Sequence, residues 1–379
     1  MTSAEATSDA PELDGSRPQT STRARDRVAA QFAAWLTPRL AADATPEVTR
    51  VAVSNSAGFS SETLLVDVAW TAAGEPNRGS YVVRLPPPPD AFPLFPSYDL
   101  DRQVAAMRFV AAHSAVPVPA VPWYEPSSAS LGAPFLVMEC VDGAAVPDMP
   151  PYVFGSWLSD AVVGDQVAVE SAMVEILAGI HQGTANVDEL AFLELDRPGA
   201  TALKRHVAQQ RAYFEWMCGD MALPLIERAF AWLDEHWPAS EGESRISWGD
   251  ARLANVLWRD FRPVAVLDWE AVATGPRELD LAWMVFFHEY FQRFAEAAGV
   301  AGMPNFMQHD HVIARYEALT GYAVCDFEWY LVYAELRQAL TSIRICSRQV
   351  HFGERPPPSD PEELIMQRDH LAAIVDGSP

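Results

Sequence analysis

The sequence predicts an α+β chain of two lobes, a small β-rich one followed by a larger, mostly helical one. Three observations carry this. Between Val51 and Leu85 the apolar residues fall in short β-branched runs, and Phe135 to Val141 is another such run. From Val167 onward, long stretches place apolar residues at helical spacing. A single β-type interruption, Ile246 to Glu270 (ISWGDARLANVLWRDFRPVAVLDWE), lies among those helices. At 379 residues the chain is long enough for two substantial cores.

In chain order, residues 1 to 25 are polar and rich in Ser, Thr, Ala and Asp, the composition of a flexible tail. Arg27 to Leu40 has Val28, Phe32, Trp35 and Leu36 on one helical face. Strands are expected at Val51 to Ser54, Leu64 to Trp70 and Tyr81 to Leu85, with a turn at Gly74 to Gly79. Between the first two strands lies Asn55 to Ser61. Its Gly58, Phe59, Ser60 and Ser61 form a small-residue turn whose backbone N–H groups suit a phosphate, and an ordinary hairpin turn has the same composition. Pro86 to Pro89 stops the third strand, and Asp99 to His113 follows as a helix with Leu100, Val104, Met107 and Val110 on one face. Further helices are expected at Val167 to Gln182, Thr201 to Met217, Leu223 to Trp237, Leu279 to Ala297, Cys325 to Ser347 and Pro361 to Val375. The expected division is a tail at 1–25, a β-rich lobe at 26–141 and a helical lobe at 142–379.

Composition narrows the function. Hydrophobic residues make up 49% of the chain, so it is globular. No apolar run approaches the roughly 18 residues of a membrane span, and the first residues lack the basic and apolar regions of a secretory signal, so a cytoplasmic protein without membrane contact is expected. Cys140, Cys218, Cys325 and Cys346 are scattered, as reduced buried thiols are. A net charge of −24 argues against nucleic acid and is compatible with a cationic small molecule. Lys204 is the sole lysine, so any other phosphate-binding cation must be an arginine.

The interruption at 246–270 carries the chemistry. It reads as a loop ending in Asn255, a strand, a turn at Arg259 to Pro263, and a second strand running into Asp268. That hairpin brings Asn255 and Asp268 together with Asp250 close by: oxygen donors for a divalent ion such as Mg²⁺, and one spare carboxylate. The spacing Asp250-x-x-x-x-Asn255 followed by a strand-end Asp is a phosphotransfer pattern.

With Trp248-Gly249-Asp250, Asn255, Asp268-Trp269-Glu270 and Glu278-Leu279-Asp280-Leu281-Ala282-Trp283, the stretch resembles the aminoglycoside phosphotransferase-like family of small-molecule kinases. The resemblance implies a protein-kinase-like two-lobed fold and ATP- or GTP-dependent, Mg²⁺-assisted transfer of phosphate to a hydroxyl of a small molecule. A nucleotide-binding module without turnover and a metal-dependent hydrolase are the rival readings. On the resemblance, Asp250 acts as base or orienting group, Arg252 reaches the transferred phosphate, and Asn255 and Asp268 hold Mg²⁺. Gly58 to Ser61 and Arg84 would hold the nucleotide phosphates, and the backbone of Glu139, Cys140 and Val141 would form the hinge that receives the base. His181 and Asp280 are expected to be structural. Three positions depart from the family pattern: Trp248 stands for the His of H-G-D, Arg84 for the strand lysine, and Gln103 for the helix Glu that orients it. Either an Arg84–Gln103 hydrogen bond replaces that ion pair, or the contact does not exist.

Overall fold

A computed structural model of the chain describes residues 23–53, 60–88, 91–183 and 187–377. The first lobe is built on a five-stranded antiparallel sheet in the order β1-β2-β3-β5-β4. Its strands are β1 (Glu47–Val53), β2 (Glu62–Ala72), β3 (Glu75–Leu85), β4 (Trp123–Glu125) and β5 (Phe135–Glu139). β2 and β3 pair along their full lengths across a two-residue turn, Ala73-Gly74, both at positive φ. Such a turn matches the twist of its strands. The expected turn at Gly74 to Gly79 is therefore corrected: Glu75 to Gly79 are paired strand, because the tight turn needs only Ala73 and Gly74.

Strand alternation sorts the side chains onto two faces. Val83 and Leu85 of β3 and Phe135 and Val137 of β5 pack under α1 (Arg25–Leu36), against its Val28, Phe32, Trp35 and Leu36. Leu136 and Met138 face the other way, into the core shared with α2 (Leu100–His113) and the second lobe. β5 is thus covered on both sides, which is why it reads as an unbroken apolar run. Asp99 caps α2, accepting from the Arg102 N–H at 2.9 Å.

The chain enters the second lobe through β6 (Ala144–Ala145) and runs into α3 (Val163–Gln182), α4 (Ala202–Cys218) and α5 (Pro224–Glu235). After β7 (Ser244–Ser247) comes a hairpin of β8 (Val256–Arg259) and β9 (Arg262–Val266), turned by Asp260 and Phe261 at positive φ. β6 extends this hairpin to three strands, and β10 (Ala273–Pro276) pairs with β7. Four helices close the lobe: α6 (Glu278–Ala297), α7 (His309–Thr320), α8 (Phe327–His351) and α9 (Arg368–Val375). The last expected helix is split. Pro361–Leu364 forms a separate 3₁₀ turn capped by Asp360, and α9 begins only at Arg368. No helix among the described residues is long and apolar enough to cross a membrane.

Candidate active site

The loop between β7 and β8 is held from beneath by one buried carboxylate. Asp280, in the first turn of α6, is fully buried and accepts four hydrogen bonds. Its Oδ1 takes the Ser247 hydroxyl at 2.9 Å and the Gly249 N–H at 2.8 Å; its Oδ2 takes the Trp248 N–H at 2.7 Å and His181 Nε2 at 3.1 Å. His181, at the end of α3, uses its other nitrogen for the Tyr316 hydroxyl at 2.7 Å, and Arg277 donates to the same oxygen at 3.4 Å. Donors therefore run in one direction, from Arg277 through Tyr316 and His181 to Asp280. His181 and Asp280 are structural, as expected. Gly249 sits at φ +86°, and a Cβ there would run into the carbonyl of Ala271. Only glycine turns the chain at this point without strain.

Trp248 is fully buried and does its own part of the support. Its indole N–H donates to the Leu267 carbonyl at 2.9 Å, and its ring lies 6.0 Å from that of Trp269. The loop is thereby tied to the segment that carries Asp268. A second tie runs from the Leu267 N–H to the Asn255 carbonyl at 2.8 Å.

Asp250 is surrounded by donors. Arg252 grips it with Nε on Oδ1 at 2.7 Å and a terminal nitrogen on Oδ2 at 2.8 Å. Trp283 Nε1 donates to Oδ1 at 2.7 Å, and the Asn255 amide nitrogen to Oδ2 at 2.7 Å. Burial pushes the Asp250 carboxyl up, but Arg252, Arg337 and these hydrogen bonds outweigh it and hold it below the usual carboxylate range. Arg252 reaches Asp148 as well, at 2.5 Å, and lies 4.9 Å over the Phe287 ring. Its guanidinium is thus directed at two carboxylates.

Across the cleft, Arg84 is buried rather than exposed at its strand end. Both terminal nitrogens lie 3.0 Å from Asp268 Oδ1, one is 2.5 Å from Ser61 Oγ, and Glu270 is 3.5 Å away. Of the two alternatives for Arg84 and Gln103 the structure takes the second: among the described residues Gln103 makes no bond to Arg84, which takes carboxylates of the other lobe instead. Burial disfavours the Arg84 charge, yet Asp268 and Glu270 prevail and keep it above its ordinary range. Glu270 responds in kind. Burial and then the Asp268 charge push its carboxyl up to about 8, against the pull of Arg84 and of Ser60. Asp268 itself has φ +57°, an uncommon conformation for a residue with a side chain.

The other expected residues fall as follows. Ser60 and Ser61 are buried beside Arg84 and Glu270; Gly58 and Phe59 lie outside the described residues. At the lobe junction the Glu139 N–H bonds the Ala120 carbonyl at 2.8 Å and the Cys140 N–H bonds Ser80 at 3.1 Å. Of the three hinge candidates only Val141 keeps an N–H without a partner among the described residues. Trp283 and Asp148 were not singled out for a role from sequence. Trp283 had a signal, since it lies three residues after Asp280 and so on the same face of α6; Asp148, in a Pro-rich loop, had none.

A small sheet lobe and a large helical lobe, with an Asp–Asn loop on one side of the junction and an arginine-bearing strand on the other, define a kinase-like phosphotransferase. The chain belongs to the phosphotransferase enzyme family, whose model matches residues 52–309. Acyl-CoA dehydrogenase family member 11 of Homo sapiens is 28% identical over 211 residues, which is 55% of this chain and 25% of that protein. This chain thus spans about a quarter of the length of such curated relatives. A Ralstonia eutropha structure of the aminoglycoside phosphotransferase type matches with a TM-score of 0.63 at 19% identity, covering 92% of this chain and 97% of that one. A thermostable mutant of an aminoglycoside phosphotransferase, in a ternary complex with AMP-PNP and hygromycin B, matches with a TM-score of 0.51 at 15% identity, covering 91% and 98%.

Proposed function

We propose that the chain transfers the γ-phosphoryl group of ATP or GTP to a hydroxyl group of a small molecule with the help of Mg²⁺. The observation that carries this reading is the meeting of Asp250, Asn255, Asp268 and Arg84 at the lobe junction, from segments far apart in sequence. Phosphoryl transfer asks little covalent work of a protein; it needs in-line positioning and positive charge on the phosphates.

The donor set fits the metal. The Asn255 amide nitrogen donates to the Asp250 carbonyl at 2.9 Å and to its carboxylate, which turns the amide oxygen outward. With Asp268 this gives two protein oxygens, the sparse set Mg²⁺ accepts when phosphates and water complete its shell. When bound, the ion would neutralise charge on the transferring phosphates. Asp250 accepts the acceptor's hydroxyl proton or orients that hydroxyl, and its low pKa keeps it ionised at neutral pH. Arg84, released from Asp268, and the hydroxyls of Ser60 and Ser61 would hold phosphate oxygens. The free N–H of Val141 would meet the base, with Glu139 and Cys140 framing it. Arg252 holds Asp250 in place and lies within a side chain's reach of the transferred group. The proposed lobe limits remain 26–141 and 142–379.

A nucleotide-binding module without turnover is the second reading, favoured by the Arg84–Asp268 ion pair, which occupies a proposed metal ligand. The acid excess of the chain and the hygromycin B complex of a structural neighbour suit a cationic acceptor. Arg252 and Arg337, the cations beside Asp250, carry the same sign as such an acceptor and would repel it. Incubation with γ-labelled ATP, Mg²⁺ and a panel of hydroxylated small molecules separates the readings. Label on an acceptor supports the kinase; nucleotide binding with no label transferred supports the module; label only in free phosphate supports hydrolysis.

A further inference from the structure

Two arginines on α8 differ from those that line the site and its support. Arg84, Arg252, Arg277 and Arg293 each pair with a carboxylate. Arg337 and Arg344 are half-buried and form no ion pair among the described residues, in a chain with 51 acidic side chains against 27 basic ones. They are seven residues apart, two turns on one face of the helix, roughly 10 Å along it.

Arg337 lies 4.0 Å over the ring of Trp283, the same ring whose N–H donates to Asp250 at 2.7 Å. Its charge is felt by the Asp250 carboxyl. Arg344 sits 3.8 Å over Phe92 and 4.4 Å over Trp216, with two of its nitrogens on the Pro93 carbonyl at 2.9 and 2.7 Å. Rings that flatten a guanidinium fix its plane and leave its edge N–H groups for a ligand. Arg337 spends none of its N–H donors on an ion pair among the described residues, so they remain for an anionic group.

We propose that the acceptor placed beside Asp250 is a hydroxylated anion, its carboxylate or phosphate held by Arg337, which shares the Trp283 ring with Asp250. Arg344, two turns on, takes a second anionic group when the acceptor is long enough. This rests on the kinase reading for the hydroxyl's fate, but the anion site stands or falls by binding alone.

The test is equilibrium binding to the full chain, with and without Mg-ADP, of 3-hydroxybutyrate, its neutral amide, glycerol 3-phosphate and hygromycin B. The parent should bind at least one anionic probe at millimolar concentration and the neutral amide at least tenfold more weakly. Carboxylate and phosphate probes tell which anion is preferred. Arg337→Gln should lose at least tenfold in affinity for the anion while its response to Mg-ADP stays, and Arg337→Lys should recover part of the loss. The proposal is overturned if no anionic probe binds, if hygromycin B or the amide binds as well as the anions, or if Arg337→Gln binds them unchanged. Failure of Mg-ADP to bind the parent would count against the kinase reading instead, and the arm without nucleotide would still decide the anion site.

Discussion

Replacing Asp280 by asparagine removes an acceptor from under the loop that carries Asp250. Four donors converge on the Asp280 carboxylate, two on each oxygen. An amide offers one oxygen and one NH₂ group, so two of the four donors would face a donor. The Ser247 hydroxyl can rotate to accept, but the backbone N–H of Gly249 or Trp248 cannot. Hydrogen bonds to a charged group contribute about 1.5–3 kcal/mol each, so the one backbone contact that cannot adapt amounts at the high end to about 3 kcal/mol. For a chain of 379 residues the unfolding entropy makes that roughly a 4 °C drop in melting temperature. Differential scanning calorimetry of the parent and Asp280→Asn measures it. A variant that melts within about 1 °C of the parent would refute the claim that this carboxylate anchors the loop.

Three further outcomes are expected. Gly249→Ala should destabilise the protein by about 2–5 kcal/mol, the sum of left-handed strain and overpacking against the Ala271 carbonyl, read from urea denaturation midpoints. Asp250→Asn should lower phosphoryl transfer by about 10²–10⁴-fold with nucleotide affinity nearly kept, as steady-state kinetics beside a binding titration would show. Burial holds His206 and His288 down at about 4, so both are neutral in the fold, whereas in the unfolded chain they titrate near 6.5. The unfolded state then binds more protons between those values, and stability should fall as pH drops from about 6.5 towards 4. A melting temperature that rises across that window would contradict it.

The legible parts of the sequence were those where one physical demand fixes the residue type. β5 is apolar from Phe135 to Met138 because both its faces are covered there, and Asp280 had to bond loop N–H groups because it opens a helix beneath a loop. Alternation alone puts Arg84 on one face of β3 with Val82, and the structure turns Val83 and Leu85 of the other face towards α1. What it would touch there was not legible: pairing with Asp268 and Glu270 joins positions 184 and 186 residues away, and no local pattern encodes such a contact. Gln103 was a candidate partner for Arg84 only because it stands where the family has a helix Glu, and two carboxylates outcompete an amide for a buried cation. The indole of Trp248 was visible only as a departure. Its bond to Leu267 depends on how the β8–β9 hairpin folds back, which the spacing does not give. The two-residue turn at Ala73-Gly74 was missed because Glu75 to Gly79 look turn-like in composition while the ladder with β2 overrides them.

The most direct test of the junction site is the binding of Mg-ATP to the parent and to Asp268→Ala, followed by thermal unfolding with and without a chelator. If Asn255 and Asp268 hold the ion and Arg84 turns to the phosphates, Mg-ATP at about 100 times its dissociation constant should stabilise the parent by about 2.7 kcal/mol. The chelator should remove most of that gain, and Asp268→Ala should never show it. Equal stabilisation of the parent and Asp268→Ala, or none in the parent with either ATP or GTP at millimolar concentration, would contradict a metal–nucleotide site at this junction.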